Sequence, residues 1–129
     1  MNTPKYFVIG LLLLIPFFLT ACELTNKEFE NYSYQPDLSC KYLSASDSYL
    51  DKWLTISGLD TGSPEVTFPD EESYAAKRTY NDGVTILLEI KNTVNSDNET
   101  IRITKKSGEF SHSGFLEGKN TFNKSGRCK

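Results

Sequence analysis

The one imidazole of the chain stands between two hydroxyl nucleophiles, in Ser111-His112-Ser113. Nucleophilic catalysis needs a nucleophile, a base within hydrogen-bond reach and a group that orients the base. His112 is the only histidine of the 129 residues, and its surroundings predict a strand. Adjacent strand residues point to opposite faces, so neither serine is placed for His112 to deprotonate it. No Gly-x-Ser-x-Gly elbow, phosphate-binding glycine loop or His-Glu-x-x-His motif is present. The expectation is that the chain is not an enzyme, that it has no catalytic residue, and that His112 lies on the surface or at a sheet edge.

Carboxylate chemistry is equally unselective. Two acids of a glycosidase can come from separate strands, but nothing singles out two of the 17 acidic residues. The cluster Asp70-Glu71-Glu72 lacks the spacing of an EF-hand calcium loop and reads as a solvated turn. One histidine and the distant Cys40 and Cys128 do not make a zinc ligand set. No metal or cofactor is expected. The formal net charge is -3, and no basic run exceeds Lys105-Lys106 or Lys77-Arg78, which excludes a nucleic-acid partner because that class needs a basic face.

The N-terminus carries a more specific signal. Lys5 and the free amine precede an almost unbroken apolar run from Phe7 to Leu19, which ends in Leu19-Thr20-Ala21-Cys22. The run is shorter than the roughly 20 residues that an α-helix needs to cross a bilayer, and Pro16 would disturb such a span. Met1 to Cys22 resembles the signal peptide and lipobox of bacterial lipoproteins. The resemblance implies that residues 1–21 are a cleaved signal helix and that Cys22 takes a diacylglyceride and becomes the mature N-terminus. One acyl chain binds membranes only marginally, so the two or three chains of that pathway make the anchor stable. Glu23, unlike an aspartate there, implies sorting to the outer membrane, facing the periplasm, in enteric-type bacteria.

With Cys22 assigned to lipid, Cys40 and Cys128 are left as a pair with one intramolecular connectivity. Export to an oxidising compartment would let that disulfide persist; two free thiols or an intermolecular bond are the alternatives. Removing residues 1–21 takes away only Lys5 among the charged residues and leaves a chain long enough for one domain. Residues 22–38 are polar with interspersed aromatics and read as a tether, and 39–129 read as the periplasmic domain.

Within that domain Trp53 to Ser57 alternates as a strand and stops at Gly58, and Glu65 to Phe68 predicts a short one. Tyr74 to Tyr80 and Val84 to Lys91 predict a hairpin around Asn81-Asp82-Gly83, with Gly83 at positive φ and Val84, Ile86, Leu88 and Ile90 on the core face. Asn92 to Asn98 reads as an exposed loop. Thr100 to Thr104 and Glu109 to Ser111 predict a second hairpin turning at Lys106-Ser107-Gly108. Phe115, Leu116 and Phe122 can add to the core from the glycine-punctuated end. The fold expected is mainly β: a small antiparallel sandwich or partly closed barrel, closed by one disulfide.

Ile101-Arg102-Ile103, Ser107-Gly108, Phe110 and Gly126-Arg127-Cys128 are similar to the closing hairpin of many small exported bacterial proteins. Size, lipobox and terminal disulfide also resemble membrane-bound inhibitors of C-type lysozyme, which are small β-barrel lipoproteins. Their blocking loop has a Ser-Gly-x-x-Tyr motif, whereas Ser113-Gly114-Phe115-Leu116-Glu117 lacks the tyrosine, so no inhibitory residue carries over. The expected function is binding of a protein partner by a lipid-anchored envelope protein, of inhibitor, immunity or exclusion type. A structural accessory of an envelope assembly or secretion system is the alternative.

Overall fold

Leu38, Cys40 and Tyr42 are buried while Ser39 and Lys41 between them are not, and this period of two makes Leu38–Ser44 the first strand, β1. The structure, a computed structural model, describes residues 28–129. The expected signal peptide and the lipidation of Cys22 lie outside the described residues. Residues 28–31 form a turn, and residues 32–129 form a unit of their own.

Eight further strands follow: β2 Trp53–Ser57, β3 Glu65–Thr67, β4 Ser73–Ala75, β5 Lys77–Asn81, β6 Thr85–Lys91, β7 Asn98–Thr104, β8 Glu109–Leu116 and β9 Lys119–Cys128. All pair antiparallel in one sheet of order β4-β3-β2-β1-β9-β8-β7-β6-β5. Two meanders, β1–β4 and β5–β9, are thus joined where the first strand meets the last. The edge strands β4 and β5 are consecutive in the chain, separated only by Ala76. Its N–H donates to the Pro64 carbonyl (2.8 Å), and the Arg78 N–H donates to that of Gly62 (3.1 Å). The sheet is therefore a nearly closed barrel whose open seam is covered by the β2–β3 connection. Of the two architectures expected, the partly closed barrel is the one present.

The interior is filled by alternate residues: Leu54 and Ile56 of β2, Val66 of β3, Ile86, Leu88 and Ile90 of β6, Ile101 and Ile103 of β7, and Phe110 of β8. Cys40 and Cys128 face each other across β1 and β9 and form the disulfide, with a sequence separation of 88. The bond lies on the pairing that joins the two meanders, and in the chain-entropy model such a closure stabilises the fold by about 4–5 kcal/mol.

Four expectations change. The domain begins earlier than residue 39. Tyr32 donates its hydroxyl to the Lys105 carbonyl (2.8 Å), Tyr32 and Tyr34 pack against the core, and Leu59 N–H donates to the Pro36 carbonyl. The aromatics that look incidental in a polar stretch find apolar surface under the barrel, so residues 32–38 are not tether. The first predicted hairpin is divided, with Ser73–Ala75 in β4 and only Lys77–Asn81 pairing with β6. Its turn is built by the Asp82 carboxylate, which accepts from the N–H groups of Val84 (2.7 Å) and Thr85 (2.8 Å), and not by a positive φ at Gly83. Val84 consequently sits in the turn, 60 % exposed, instead of in the core. At the second hairpin the reading holds: Gly108 has φ +76°, a conformation that L side chains rarely adopt.

Candidate functional site

The antiparallel order gives the barrel two distinct ends. The β1–β2, β3–β4 and β6–β7 connections lie at one, and the β5–β6 and β7–β8 turns at the other, where Lys105 N–H donates to Val84 O. Residues 32–34 pack at this second end, through Tyr32 on Lys105. At the first end the inward positions cease to be aliphatic. Glu99 precedes Ile101 by two residues on β7, His112 follows Phe110 by two on β8, and Lys124 precedes Gly126 by two on β9. The register sets Ile101 opposite His112 and His112 opposite Lys124, so these polar groups gather under one rim.

His112 is buried, 1 % exposed, which corrects the expectation of a surface or edge residue. The opposed orientation of its serine neighbours is as expected: Ser111 is exposed, and Ser113 donates to Asn123 Oδ1 (2.9 Å). His112 instead joins two residues that are distant in sequence. Its Nδ1 lies 2.9 Å from the Tyr42 hydroxyl and its Nε2 2.6 Å from Glu99 Oε1. The arrangement in which every polar atom is satisfied has Tyr42 donating to Nδ1 and Nε2–H donating to the Glu99 carboxylate. Phe68 stacks on the imidazole (centroids 5.2 Å, interplanar 14°), and Phe122 meets it edge-on (5.0 Å, 80°). Gly114 makes the second contact possible, since a Cβ there would overlap the Phe122 ring.

Electrostatics follow from this packing. Burial pushes the Glu99 carboxyl up, but hydrogen bonds from His112 and Thr93, with the Lys124 charge, outweigh it and hold the group below its usual range. Burial pushes the Tyr42 phenol far above its ordinary value, and the nearby carboxylates add to this, so it remains a neutral donor. Both imidazole nitrogens are thus engaged, and the Tyr42 phenol is fully buried.

Above this floor opens a cavity of about 240 Å³, lined by residues of all three connections and by Glu99, Phe122 and Lys124. Lys124, 7 % exposed, pairs with Asp47 Oδ2 (2.5 Å), and its ammonium lies 3.9 Å from the centroid of the Tyr49 ring and 4.5 Å from that of Phe122. For Asp47 burial again acts upward, but the Lys124 bond and charge and the Tyr49 N–H bring its carboxyl below the ordinary value. Asp70 and Glu72, expected as a solvated turn, are exposed and accept from Tyr49 (3.0 Å) and Tyr74 (2.6 Å) respectively. Among the described residues no group of three or more His, Cys, Asp or Glu is arranged to hold a metal. Ser113-Gly114-Phe115-Leu116 lies within β8 and not in a loop.

No protein-family model, curated protein or solved structure matches the chain. Its class is therefore defined by fold and site: a disulfide-closed, nine-stranded antiparallel barrel with a carboxylate- and aromatic-lined cavity at one end.

Proposed function

We propose that the protein is a bacterial envelope lipoprotein, anchored by acyl chains on Cys22, which catalyses no reaction and binds a protein partner at the cavity end of its barrel. The observation that carries the reading is polarity. The chain reaches the barrel at the end where Tyr32 meets Lys105, whereas the cavity opens between the connections at the other end. Residue 32, where the barrel unit begins, thus lies at the end opposite the cavity, so the point of attachment leaves the cavity uncovered. A protein of inhibitor, immunity or exclusion type needs that presentation. The engagement of both His112 nitrogens supports the non-catalytic part, because a general base needs a nitrogen open to its substrate. The Cys40–Cys128 disulfide agrees with an oxidising compartment, and Glu23 favours the outer membrane in hosts that follow the enteric sorting rule.

Membrane fractionation of Cys22→Ser tests the anchor: the variant is expected in the soluble periplasmic fraction, and unchanged membrane association would contradict lipidation. Affinity capture from envelope extract tests the binding role, which fails if no specific partner is recovered.

A further inference from the structure

We infer that the cavity receives a cationic side chain, a lysine or arginine of the protein partner, between its aromatic walls and its carboxylates. This deepens the binding role proposed above and rests on it. Four carboxylates, Asp47, Asp70, Glu72 and Glu99, line the cavity against one amine, Lys124. That amine is committed to Asp47 and Glu99 is held by His112, which leaves Asp70 and Glu72 with no further basic residue of the lining to balance them. The phenols on Asp70 and Glu72 are neutral donors and remove none of that charge. A carboxylate has about four acceptor positions, so one phenol on each leaves capacity for an incoming N–H.

The walls add a second, independent requirement. Phe68 meets Tyr74 edge-on (5.7 Å, 62°) and lies nearly parallel to Tyr49 (6.3 Å, 21°), and these three rings share the lining with the acids. Such a wall suits a group with an apolar stem and a charged head. The protein already holds one in this way: the Lys124 ammonium sits on Asp47 and against the Tyr49 and Phe122 rings. The volume of about 240 Å³ falls below the roughly 300–1,000 Å³ of pockets for whole small molecules, so it fits one inserted side chain. Exposed Val94, at 77 %, provides an apolar lip on the β6–β7 connection where the partner backbone would lie.

The test titrates the full-length, ¹⁵N-labelled protein in non-ionic detergent with the Nα-acetyl methylamides of lysine, arginine and norleucine. The expected result is saturable movement of the Thr93, Val94, Asn95 and Lys124 amide signals with the two cations and none with norleucine, the uncharged match for the lysine stem. Asp70→Asn with Glu72→Gln should weaken that binding roughly tenfold. Equal shifts with norleucine, or unchanged affinity in the double variant, would overturn the assignment. Loss of a captured partner by the double variant supports a side chain of that partner as the occupant. A partner retained in full by the double variant overturns the cavity assignment and leaves the binding role standing. Cations that bind when no partner can be captured would reverse this, removing the partner and assigning the cavity to free organic amines.

Discussion

Tyr42 on the first strand and His112 on the eighth, seventy residues apart, share a 2.9 Å hydrogen bond in the barrel interior. The bond crosses from one meander to the other, and Glu99 completes it on β7. Removal of the imidazole strands a buried carboxylate. His112→Ala should therefore cost about 3 kcal/mol or more, because a buried carboxylate loses its hydrogen-bond donor. Glu99→Gln removes the charge but keeps an acceptor, and should cost less. Urea denaturation of both variants measures the difference, and a His112→Ala cost below about 1 kcal/mol would show that the relay contributes little to stability.

Close packing distinguishes two glycines on inward positions. A Cβ at Gly126 would overlap the Lys41 carbonyl across the β1–β9 pairing, whereas at Gly114 it would overlap only the Phe122 ring. Backbone cannot yield as a side chain can. Gly126→Ala should exceed the usual overpacking cost of about 1–3 kcal/mol, and Gly114→Ala should stay within or below it while disturbing Phe122 on His112. Thermal denaturation ranks the two, and equal losses would contradict the account.

The disulfide predicts a third effect. Cys40→Ser with Cys128→Ser should lower stability by about 4–5 kcal/mol, because the bond closes a loop over the whole barrel. Denaturant midpoints of the two forms measure this. A loss below about 1 kcal/mol would place the stabilisation elsewhere.

The Asp82 turn carries a pH signature. The hydrogen bond from Tyr80 and the N–H groups of Thr85 and Val84 lower its carboxyl to about 2, against an ordinary value of about 3.9. Because the folded value is the depressed one, the contribution of this turn is fully present above about pH 3.9 and is lost as the pH falls through about 2. Carboxyl NMR should find a midpoint near 2, moving upward in Tyr80→Phe. A midpoint near 3.9 in the parent protein would contradict the turn geometry.

Much of the fold is legible where aliphatic alternation is uninterrupted. Trp53–Ser57 is a strand end to end, and Ile86, Leu88, Ile90, Ile101 and Ile103 all face the core as their spacing requires. Legibility fails where inward positions hold polar or glycine residues. In β1 a cysteine and a tyrosine occupy them, and in β9 Lys124 and Gly126 do, so neither strand announces itself. The site is hidden for the same reason. Its signal lay in parity: Phe110 shares a face with His112, and Ile101 with Glu99, which places both polar groups inside. What parity cannot give is Tyr42, Asp47 and Lys124, because β1 and β9 meet only through the barrel closure.

The account turns on the cavity end of the barrel being the docking end. A photo-crosslinking residue placed at Val94, 77 % exposed on the cavity lip, can be compared in living cells with one at Val84, 60 % exposed at the opposite end. The account predicts a discrete protein adduct from Val94 and none from Val84. No adduct from Val94, or the same adduct from both positions, would contradict it.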